Sequence, residues 1–196
     1  MLCLDFVNTV DHRHSPDRFA DHLRTYSDLL SFAAQTSMFS SPELTQLERA
    51  AARNLAEARR VLRRAVELRE TIYRIFSGLA AGRHPQADDL RLLDRHAQAA
   101  VRHMRLQRAN GGFRWQWPPM LALDAPLWRI AKSAADLLTS TETPAVRECA
   151  AETCGWLFVD RSRNRARRWC DMKVCGNRVK ARRHYQRMRS TLSISK

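Results

Sequence analysis

Four cysteines near the C-terminal end constrain this chain more than any other feature. They form two pairs, Cys149-x4-Cys154 and Cys170-x4-Cys175, separated by fifteen residues. In a reducing compartment, clustered pairs of this kind bind a metal more often than they form disulfides. Two pairs at this separation are typical of a tetrahedral four-cysteine zinc site. The spacing therefore predicts one structural zinc ion per chain, with an iron–sulfur cluster as the less favoured alternative.

The predicted metal site leaves no ligand position open for a reactive water, because sulfur takes all four positions. The rest of the sequence has no HExxH, no GxSxG and no phosphate-binding glycine loop. The seven histidines are scattered along the chain. We therefore expect that the protein is not an enzyme.

The residues around the cysteines predict a small α+β module, a hairpin followed by a helix. The apolar residues 156–159 are expected to form the first strand, 160–164 the turn, and 166–169 the return to the metal. After Cys175 the pattern predicts a helix whose apolar stripe faces the cysteine pairs. The residues of this stripe are Ala181, Tyr185, Met188 and Leu192. A module of this size buries too little apolar surface to fold alone. Zinc is expected to supply the missing stability.

Positive charge is concentrated in this last quarter of the chain. The whole chain has a net charge of +14, and residues 145–196 hold 14 Lys and Arg against 4 Asp and Glu, a net of +10. Such a module attracts polyanions. The residues predicted to contact phosphates are Arg161, Arg163, Arg165, Arg167 and Arg168 on the hairpin, and Lys180, Arg182 and Arg183 on the helix.

Base recognition requires side chains that reach the edges of the grooves. Asn177 and Arg178 have the right chemistry, since asparagine pairs with adenine and arginine with guanine. Asn177 could equally cap backbone groups of the finger. For Trp169, beside Cys170, we favour a place in the core over a base-stacking role.

The first 143 residues predict an almost wholly helical domain. Ser27 is expected to cap a helix at 28–35, and Ser41-Pro42-Glu43 to begin a second one. An unbroken helix over 42–82 would be about 60 Å long, more than a compact domain of this size spans, so we expect a break near Asn54.

Further helices are predicted at 86–101, with Leu90 and Leu93 facing inward, and at 126–138. Between them, alternating apolar residues around Asn110-Gly111-Gly112 predict a β-hairpin, which Pro118-Pro119 would close. The polar stretch 139–144 predicts a domain boundary, with domains at 1–143 and 144–196. The fold class is therefore mainly α, a helical domain with a hairpin followed by the α+β four-cysteine finger.

A short polar motif interrupts the apolar N-terminal segment. Asp5, Asn8 and Thr9 could line a ligand pocket or form a structural polar network, and we favour the network slightly. Trp128, with Trp115 and Trp117, could line the same pocket or fill the core. No stretch is apolar enough to span a membrane, and the N-terminus lacks the pattern of a secretory signal. We expect a soluble, cytoplasmic protein.

Two motifs resemble known bacterial families. Cys175-Gly176-Asn177-Arg178 reads CGNR and, with the preceding tract 158–170, resembles the CGNR zinc finger. Residues 4–9, Leu-Asp-Phe-Val-Asn-Thr, resemble the start of the ABATE domain that commonly precedes this finger. Phe32 departs from that pattern, where tryptophan is expected. The resemblance covers the whole chain and implies a stress-induced transcription regulator, a role inferred for the family.

Three functions follow as hypotheses. The first is a transcription regulator with a helical sensor domain and a zinc finger on duplex DNA. The second is an RNA-binding or ribosome-associated protein, and the third is a zinc-dependent module that docks a protein partner. The helices of 42–82 are a plausible homodimer interface, and a small-molecule effector of the N-terminal domain is possible.

Overall fold

A computed structural model describes residues 1–117 and 122–194 of the chain. The predicted position of Pro118-Pro119 therefore lies outside the described residues. The α-helices are α1 (Leu2–Val7), α2 (Tyr26–Gln35), α3 (Ser41–Arg53), α4 (Leu55–Ala80), α5 (Ala87–His103), α6 (Ala125–Leu138) and α7 (Asn177–Ile194). Three antiparallel pairs of strands complete the fold: β1 (Val10–Asp11) with β2 (Ala20–Asp21), β3 (Arg105–Ala109) with β4 (Gly112–Gln116), and β5 (Val146–Glu148) with β6 (Leu157–Val159). The chain is mainly α, as predicted.

Helix α4 is the longest helix that the structure describes and lies at the centre of the core. At about 1.5 Å per residue its 26 residues extend about 39 Å. Its buried side chains recur with helical periodicity and include Val61, Leu68 and Ile75. The predicted break at Asn54 is confirmed, because Asn54 ends α3 and its Oδ1 accepts the Glu57 N–H at 3.0 Å at the start of α4.

Two predicted helix caps are wrong by one or two residues. Thr25, not Ser27, caps α2, and its side chain exchanges hydrogen bonds with Asp28 in a capping box. Ser40, not Ser41, precedes α3, and its N–H and Oγ–H both donate to the Glu43 carboxylate at 2.7 Å. Thr25 and Ser40 each have an acid three residues later. The bond from the backbone N–H of the capping residue to that acid decides which hydroxyl residue becomes the cap.

Helices α5 and α6 pack against each other on one side of α4. Leu127, Ile130 and Leu137 on α6 are buried as their spacing predicts. Leu90 on α5 is 38% exposed, so its predicted inward position is wrong. Trp128 is buried and stacks on the His103 ring, with the two ring centroids 3.6 Å apart.

The β3–β4 hairpin forms at the predicted Asn-Gly turn. Gly111 has a φ of +83°, the conformation for which this dipeptide is suited. Two of the alternating aromatic residues do not face the core, however: Trp115 is 59% exposed and Phe113 is 74% exposed, whereas Trp117 is half-buried against the core. An interior position for Trp115 is therefore wrong.

The finger folds around a different hairpin from the predicted one. The predicted strand at Leu157–Val159 forms, but it pairs with Val146–Glu148 rather than with residues 166–169. Val146 and Leu157 are buried in the same core as α1 and α4, which fixes this pairing. The predicted apolar stripe on α7 is also wrong, because Tyr185 and Met188 are 70% and 53% exposed. Leu192 lies among the side chains that are not described.

In the described part of the chain, no helix combines the length and apolarity that a membrane span requires.

Candidate zinc centre and nucleic-acid interface

The structure brings all four predicted metal ligands together. The Sγ atoms of Cys149, Cys154, Cys170 and Cys175 all lie within 4.8 Å of one another. Cys154 Sγ is 3.7 Å from Cys170 Sγ, which is 3.6 Å from Cys175 Sγ. A Zn–S bond of about 2.3 Å gives a tetrahedron with edges of about 3.8 Å. The sulfur cage therefore has the size that a four-cysteine zinc site requires.

Backbone hydrogen bonds shape the first cysteine pair into a tight turn between β5 and β6. Cys149 N–H donates to Trp156 O at 2.8 Å, and Cys154 N–H donates to Ala151 O at 2.9 Å. Gly155 closes the turn with a φ of +74°. A Cβ at this position would lie 2.8 Å from the Arg13 Cβ, so both backbone conformation and space favour glycine.

The second pair is held beside the first by two further features. Ala150 N–H donates to Arg168 O at 2.8 Å, which ties the segment before Cys170 to the first turn. Asp171 then caps a single π-helical turn, Met172–Gly176, by accepting the Val174 N–H at 3.0 Å. This turn carries Cys175 back to the cage and leads directly into α7.

Close packing makes the thiols strongly interdependent. Hydrogen bonds from Cys154 and Cys170 lower the pKa of Cys149, whereas the hydrogen bond with Cys149 raises the pKa of Cys154. The pKa of Cys170 is raised for the same reason. Four thiolates so close together repel one another unless a cation lies between them. The donor set, its spacing and its charge all fit a divalent zinc ion.

The zinc-binding segment is docked onto the N-terminal part of the chain through Asn8. The Asn8 side chain donates to Leu157 O at 2.9 Å and accepts the Leu157 N–H at 2.9 Å. It therefore extends the β5–β6 sheet as an additional strand would. Trp156 Nε1–H donates to Val10 O at 3.0 Å, and Arg13 N–H donates to Cys154 O at 3.2 Å.

A buried ion network lies beneath this contact. The Arg69 side chain is only 2% exposed, and its two terminal nitrogens pair with the Asp21 carboxylate at 2.7 Å each. Arg69 Nε donates to Glu70 at 2.8 Å, and Arg13 donates to the same carboxylate at 2.7 Å. Arg69 also donates to Thr9 Oγ1 at 3.2 Å.

The network keeps its two carboxylates ionised. Burial opposes the charge on Asp21 and Glu70, but hydrogen bonds and the positive charges of Arg69 and Arg13 outweigh it and lower both pKa values.

Of the residues in the N-terminal polar motif, Asn8 and Thr9 take part in structural hydrogen bonds, with Leu157 and Arg69. Asp5 is exposed and pairs with the N-terminal ammonium, and Trp128 belongs to the core.

A second polar cluster joins the metal-binding segment to α4. The Glu148 carboxylate accepts from Ser77 Oγ at 2.6 Å and from Tyr73 OH at 3.1 Å, and His14 Nε2 lies 2.7 Å from it. Arg13 lies over the Tyr73 ring at 4.2 Å and so connects this cluster with the buried ion network. Sequence reasoning missed this histidine–carboxylate contact, since the partners are 134 residues apart.

Comparison with known protein families agrees with this geometry. The ABATE family model, described as "Putative stress-induced transcription regulator", matches residues 1–141. The chain belongs to the ABATE family. The CGNR zinc finger model matches residues 145–188, which contain the whole sulfur cage. The cage of the CGNR finger thus forms one structural zinc site. No curated protein has detectable sequence similarity to the chain.

Three of the five arginines predicted to contact phosphates from the hairpin have partners within the protein. Arg161 pairs with Glu142, with its Nε 2.9 Å from the carboxylate. Arg167 lies over the Phe158 ring at 4.6 Å and donates to Trp169 O at 2.9 Å. The buried Asp160 accepts the Arg167 N–H at 2.9 Å, which holds the loop in place. Arg168 lies over the ring of Trp169, itself half-buried against the sulfur cage.

The remaining candidates are exposed on the loop and on α7. They are Arg163, Arg165, Asn177, Arg178, Lys180 and Arg182. Arg182 pairs with Glu152, which lies in the turn between the first two cysteines. The side chain of Arg183 lies outside those described. Within residues 1–117 and 122–194 the Asn177 side chain forms no hydrogen bond with the finger. Its backbone N–H ends the preceding turn by donating to Met172 O and Val174 O, and Asp171 caps the start of that turn.

The ABATE part adds one basic residue that sequence reasoning missed. A cleft of about 740 Å³ runs between α7 and the first cysteine turn, and Arg18 lines it together with Arg178 and Arg182. Arg18 ends a short 3-10 helix, Pro16–Arg18, and is exposed. No local pattern marks it, because only the docking of the finger brings it beside α7.

Proposed function

We propose that this ABATE protein is a cytoplasmic, non-enzymatic transcription regulator that binds duplex DNA with the outward surface of its CGNR finger. One observation carries the proposal. Helix α7 begins at the zinc cage, and among its described side chains from Asn177 to Met188 all are exposed except Val179, which packs against the sulfur cage. The helix is rich in arginine and has no acidic residue. A basic helix held at one end and exposed elsewhere is suited to a groove of DNA.

The dimensions support this use of α7. The major groove of B-DNA is about 12 Å wide and admits one α-helix. Recognition helices place their N-terminal residues against base edges. In this chain those residues are Asn177 and Arg178, both exposed, whose side chains suit adenine and guanine. We therefore assign base recognition to these two residues and backbone contacts to Lys180 and Arg182.

The loop before the second cysteine pair extends the basic surface. Arg163 and Arg165 are exposed, and no carboxylate within the described residues pairs with either of them. Arg18 supplies a further charge from the ABATE part on the other side of α7. Phosphates of one DNA backbone could contact the loop while the other backbone contacts Arg18. These contacts would give affinity and salt dependence rather than sequence preference.

We assign the ABATE part to regulation. It supports the finger through Asn8, Arg13 and the bond from Ser77 to Glu148, so a shift in α1 or α4 would alter the position of α7. A small-molecule effector or a homodimer contact through α3 and α4 would act by this route. Differential contacts in two states are what such regulation requires.

The test is binding of fluorescent duplex DNA, first as a randomised pool and then as the selected sequence, over a range of salt concentrations. We expect tight binding that is lost when zinc is chelated, and a slope of log affinity against log salt of about −5 or steeper. Arg178→Ala should relax the selected sequence, whereas Lys180→Ala should weaken all duplexes equally. Arg53→Ala, an exposed arginine on α3, serves as the control. Preference for structured RNA over every duplex would overturn the proposal.

A second candidate function rests on the exposed apolar residues of α7. Ala181, Tyr185 and Met188 follow one another at helical spacing on the exposed helix. This pattern also suits an apolar groove on a protein partner. In that case Tyr185→Ser would abolish partner binding without changing the salt dependence of DNA affinity. A wild-type protein with a salt slope near zero for all nucleic acids would favour this second function.

A further inference from the structure

The β3–β4 hairpin presents an apolar face to solvent. Leu106 and Trp115 are each 59% exposed, and Phe113 is 74% exposed. Proteins that act alone rarely leave several large apolar side chains together on one surface, and such patches usually mark a binding site. The finger does not account for this patch, because it is built from elements that the CGNR match does not include.

The strand register places these side chains on one face. Leu106 lies opposite Trp115, and Arg108 lies opposite Phe113. Residues opposite each other in an antiparallel pair project to the same side, as do residues two apart on one strand. One face therefore carries two aromatic rings and a leucine, with a guanidinium beside them.

The charges within the hairpin segment all have the same sign. Residues 101–117 contain four arginines and no aspartate or glutamate. Arg105 is held by backbone carbonyls of Arg102 and Met104. Arg102, Arg108 and Arg114 are exposed, and across residues 1–117 and 122–194 no carboxylate forms an ion pair with any of them. Arg108 lies on the same face as the rings, and Arg102 and Arg114 add positive charge elsewhere on this segment, so the face favours a negatively charged partner.

We propose that the hairpin is a second nucleic-acid site, which binds single-stranded DNA or RNA by stacking. Bases stack on the Trp115 and Phe113 rings, and the phosphates contact Arg108 on the same face. Interleaved aromatic and basic side chains are the means by which proteins bind single strands without sequence preference. In a duplex the faces of the bases are covered by their neighbours, so the rings have no access to them. A second copy of the chain is disfavoured because two such faces would bring like charges together.

This site extends the proposed function, since a protein that holds duplex DNA on α7 could also hold a displaced strand or a transcript on the hairpin. The inference does not depend on duplex binding. The rings and the arginine involved are separate from Asn177, Arg178 and Arg182. The two sites can therefore be inactivated one at a time.

The experiment measures anisotropy of a fluorescent oligothymidine of about 15 nucleotides, near the upper end of usual single-strand sites, with full-length zinc-loaded protein. The Phe113→Ala/Trp115→Ala variant is expected to lose at least about tenfold in affinity for this strand. Its affinity for the selected duplex should stay within about twofold. Trp115→Phe keeps a stacking ring and should retain most of the single-strand affinity. Gln107→Ala, on the opposite face of the hairpin, is the matched control.

The controls separate folding from binding. Far-UV circular dichroism and zinc content should be the same in all variants, because the substituted side chains are exposed. Single-strand affinity that is unchanged in the double variant would overturn the inference, as would equal losses for single strand and duplex. Binding of wild type but not the double variant to phosphatidylserine vesicles, with no single-strand binding, would instead assign the face to a membrane. A wild-type dimer that dissociates on Phe113→Ala/Trp115→Ala substitution would assign it to self-association. An Arg178→Ala variant that weakens binding of the selected duplex but keeps the single-strand affinity would show that the two sites are independent.

Discussion

The two halves of the zinc finger differ in the interactions that keep them folded. The inner half, Val146–Asp160, contains the β5–β6 hairpin and the first cysteine pair and shares its core with α1 and α4. Asn8, Trp156 and Glu148 join it to the ABATE part through hydrogen bonds. The outer half, residues 161–194, contains the second cysteine pair and α7. Its described side chains are mostly exposed, and its apolar contacts are with the sulfur cage.

This difference shows how one small module can anchor itself and still present a binding surface. The inner half obtains its stability from apolar burial and hydrogen bonds with a larger domain. The outer half has little apolar burial and obtains its stability from the metal. Its positive charges can therefore remain at the surface, where a polyanion can reach them.

The largest expected effect comes from removing a metal ligand. Cys170→Ser should abolish zinc binding and unfold the outer half, since zinc contributes on the order of 10–16 kcal/mol in such modules. The inner half should remain folded on the ABATE core. Zinc analysis and hydrogen exchange would show this, with rapid exchange confined to residues after 160.

Cys3→Ala is the matched control. Cys3 is buried next to Ser133, and its pKa is raised to about 11 by burial, so it is an inert core residue. The variant should retain one zinc per chain and native exchange in the outer half. If Cys170→Ser also exposed the β5–β6 amides, the proposed contrast between the two halves would not hold.

The next largest effect is expected in the buried ion network of Arg69, Asp21 and Glu70, which lies beneath the inner half. Arg69→Met would leave Asp21 and Glu70 without their shared cation, at a cost of about 3 kcal/mol, the lower end for buried pairs because both carboxylates keep some solvent contact. Urea unfolding measures this directly. Arg59→Met, an exposed position on the same helix, should change stability by less than about 0.5 kcal/mol.

The same variant gives a pH dependence with a defined sign. The folded-state pKa values of Asp21 and Glu70 are lowered, so their stabilising contribution is present above the ordinary carboxyl values and is lost as pH falls through the lowered ones. In Arg69→Met the unpaired carboxylates gain protons more readily. The stability difference between wild type and variant should therefore shrink between pH 7 and about pH 3. A difference that grows on acidification would contradict the ion-pair account.

A smaller effect is expected at the contact between the ABATE part and the finger. Asn8→Ala removes two hydrogen bonds to Leu157 and leaves its amide and carbonyl partly buried without partners, at a cost of about 1–3 kcal/mol. We expect faster zinc release to a chelator because the inner half is less firmly held. Asp5→Ala, on the exposed side of α1, should leave the release rate unchanged. Unaltered release in Asn8→Ala would mean that the inner half holds the metal without the ABATE contact.

The smallest expected effect is a gain of binding. Glu152 pairs with Arg182 across the cleft beside α7, so Glu152→Ala should free this arginine for phosphate. Duplex affinity should rise a few-fold, with a salt slope steeper by up to about one. Glu48→Ala removes the same charge from α3 and controls for the change in net charge. Equal gains in both variants would show that the Arg182 pair has no specific role.

Sequence reasoning performed well where a feature depends on neighbours in the chain. The cysteine spacing, the break at Asn54 and the Asn-Gly turn each follow from a few adjacent residues, and all three are present. It was wrong where a feature depends on what packs against it. The exposure of Trp115 and Tyr185 and the pairing of Leu157–Val159 with Val146–Glu148 fall in this class. Periodicity identifies an apolar face but not whether another element covers it.

By itself the sequence determined the metal ligands, the helical class of the ABATE part and the location of the positive charge, because spacing, periodicity and charge are properties of the chain alone. Only the tertiary structure decided that Asn8 completes the finger's sheet, that Arg69 joins Asp21 and Glu70, and that Arg18 lies beside α7. These contacts join residues far apart in the chain. Their geometry exists only after the core has formed, since no local backbone preference brings such side chains within hydrogen-bonding distance.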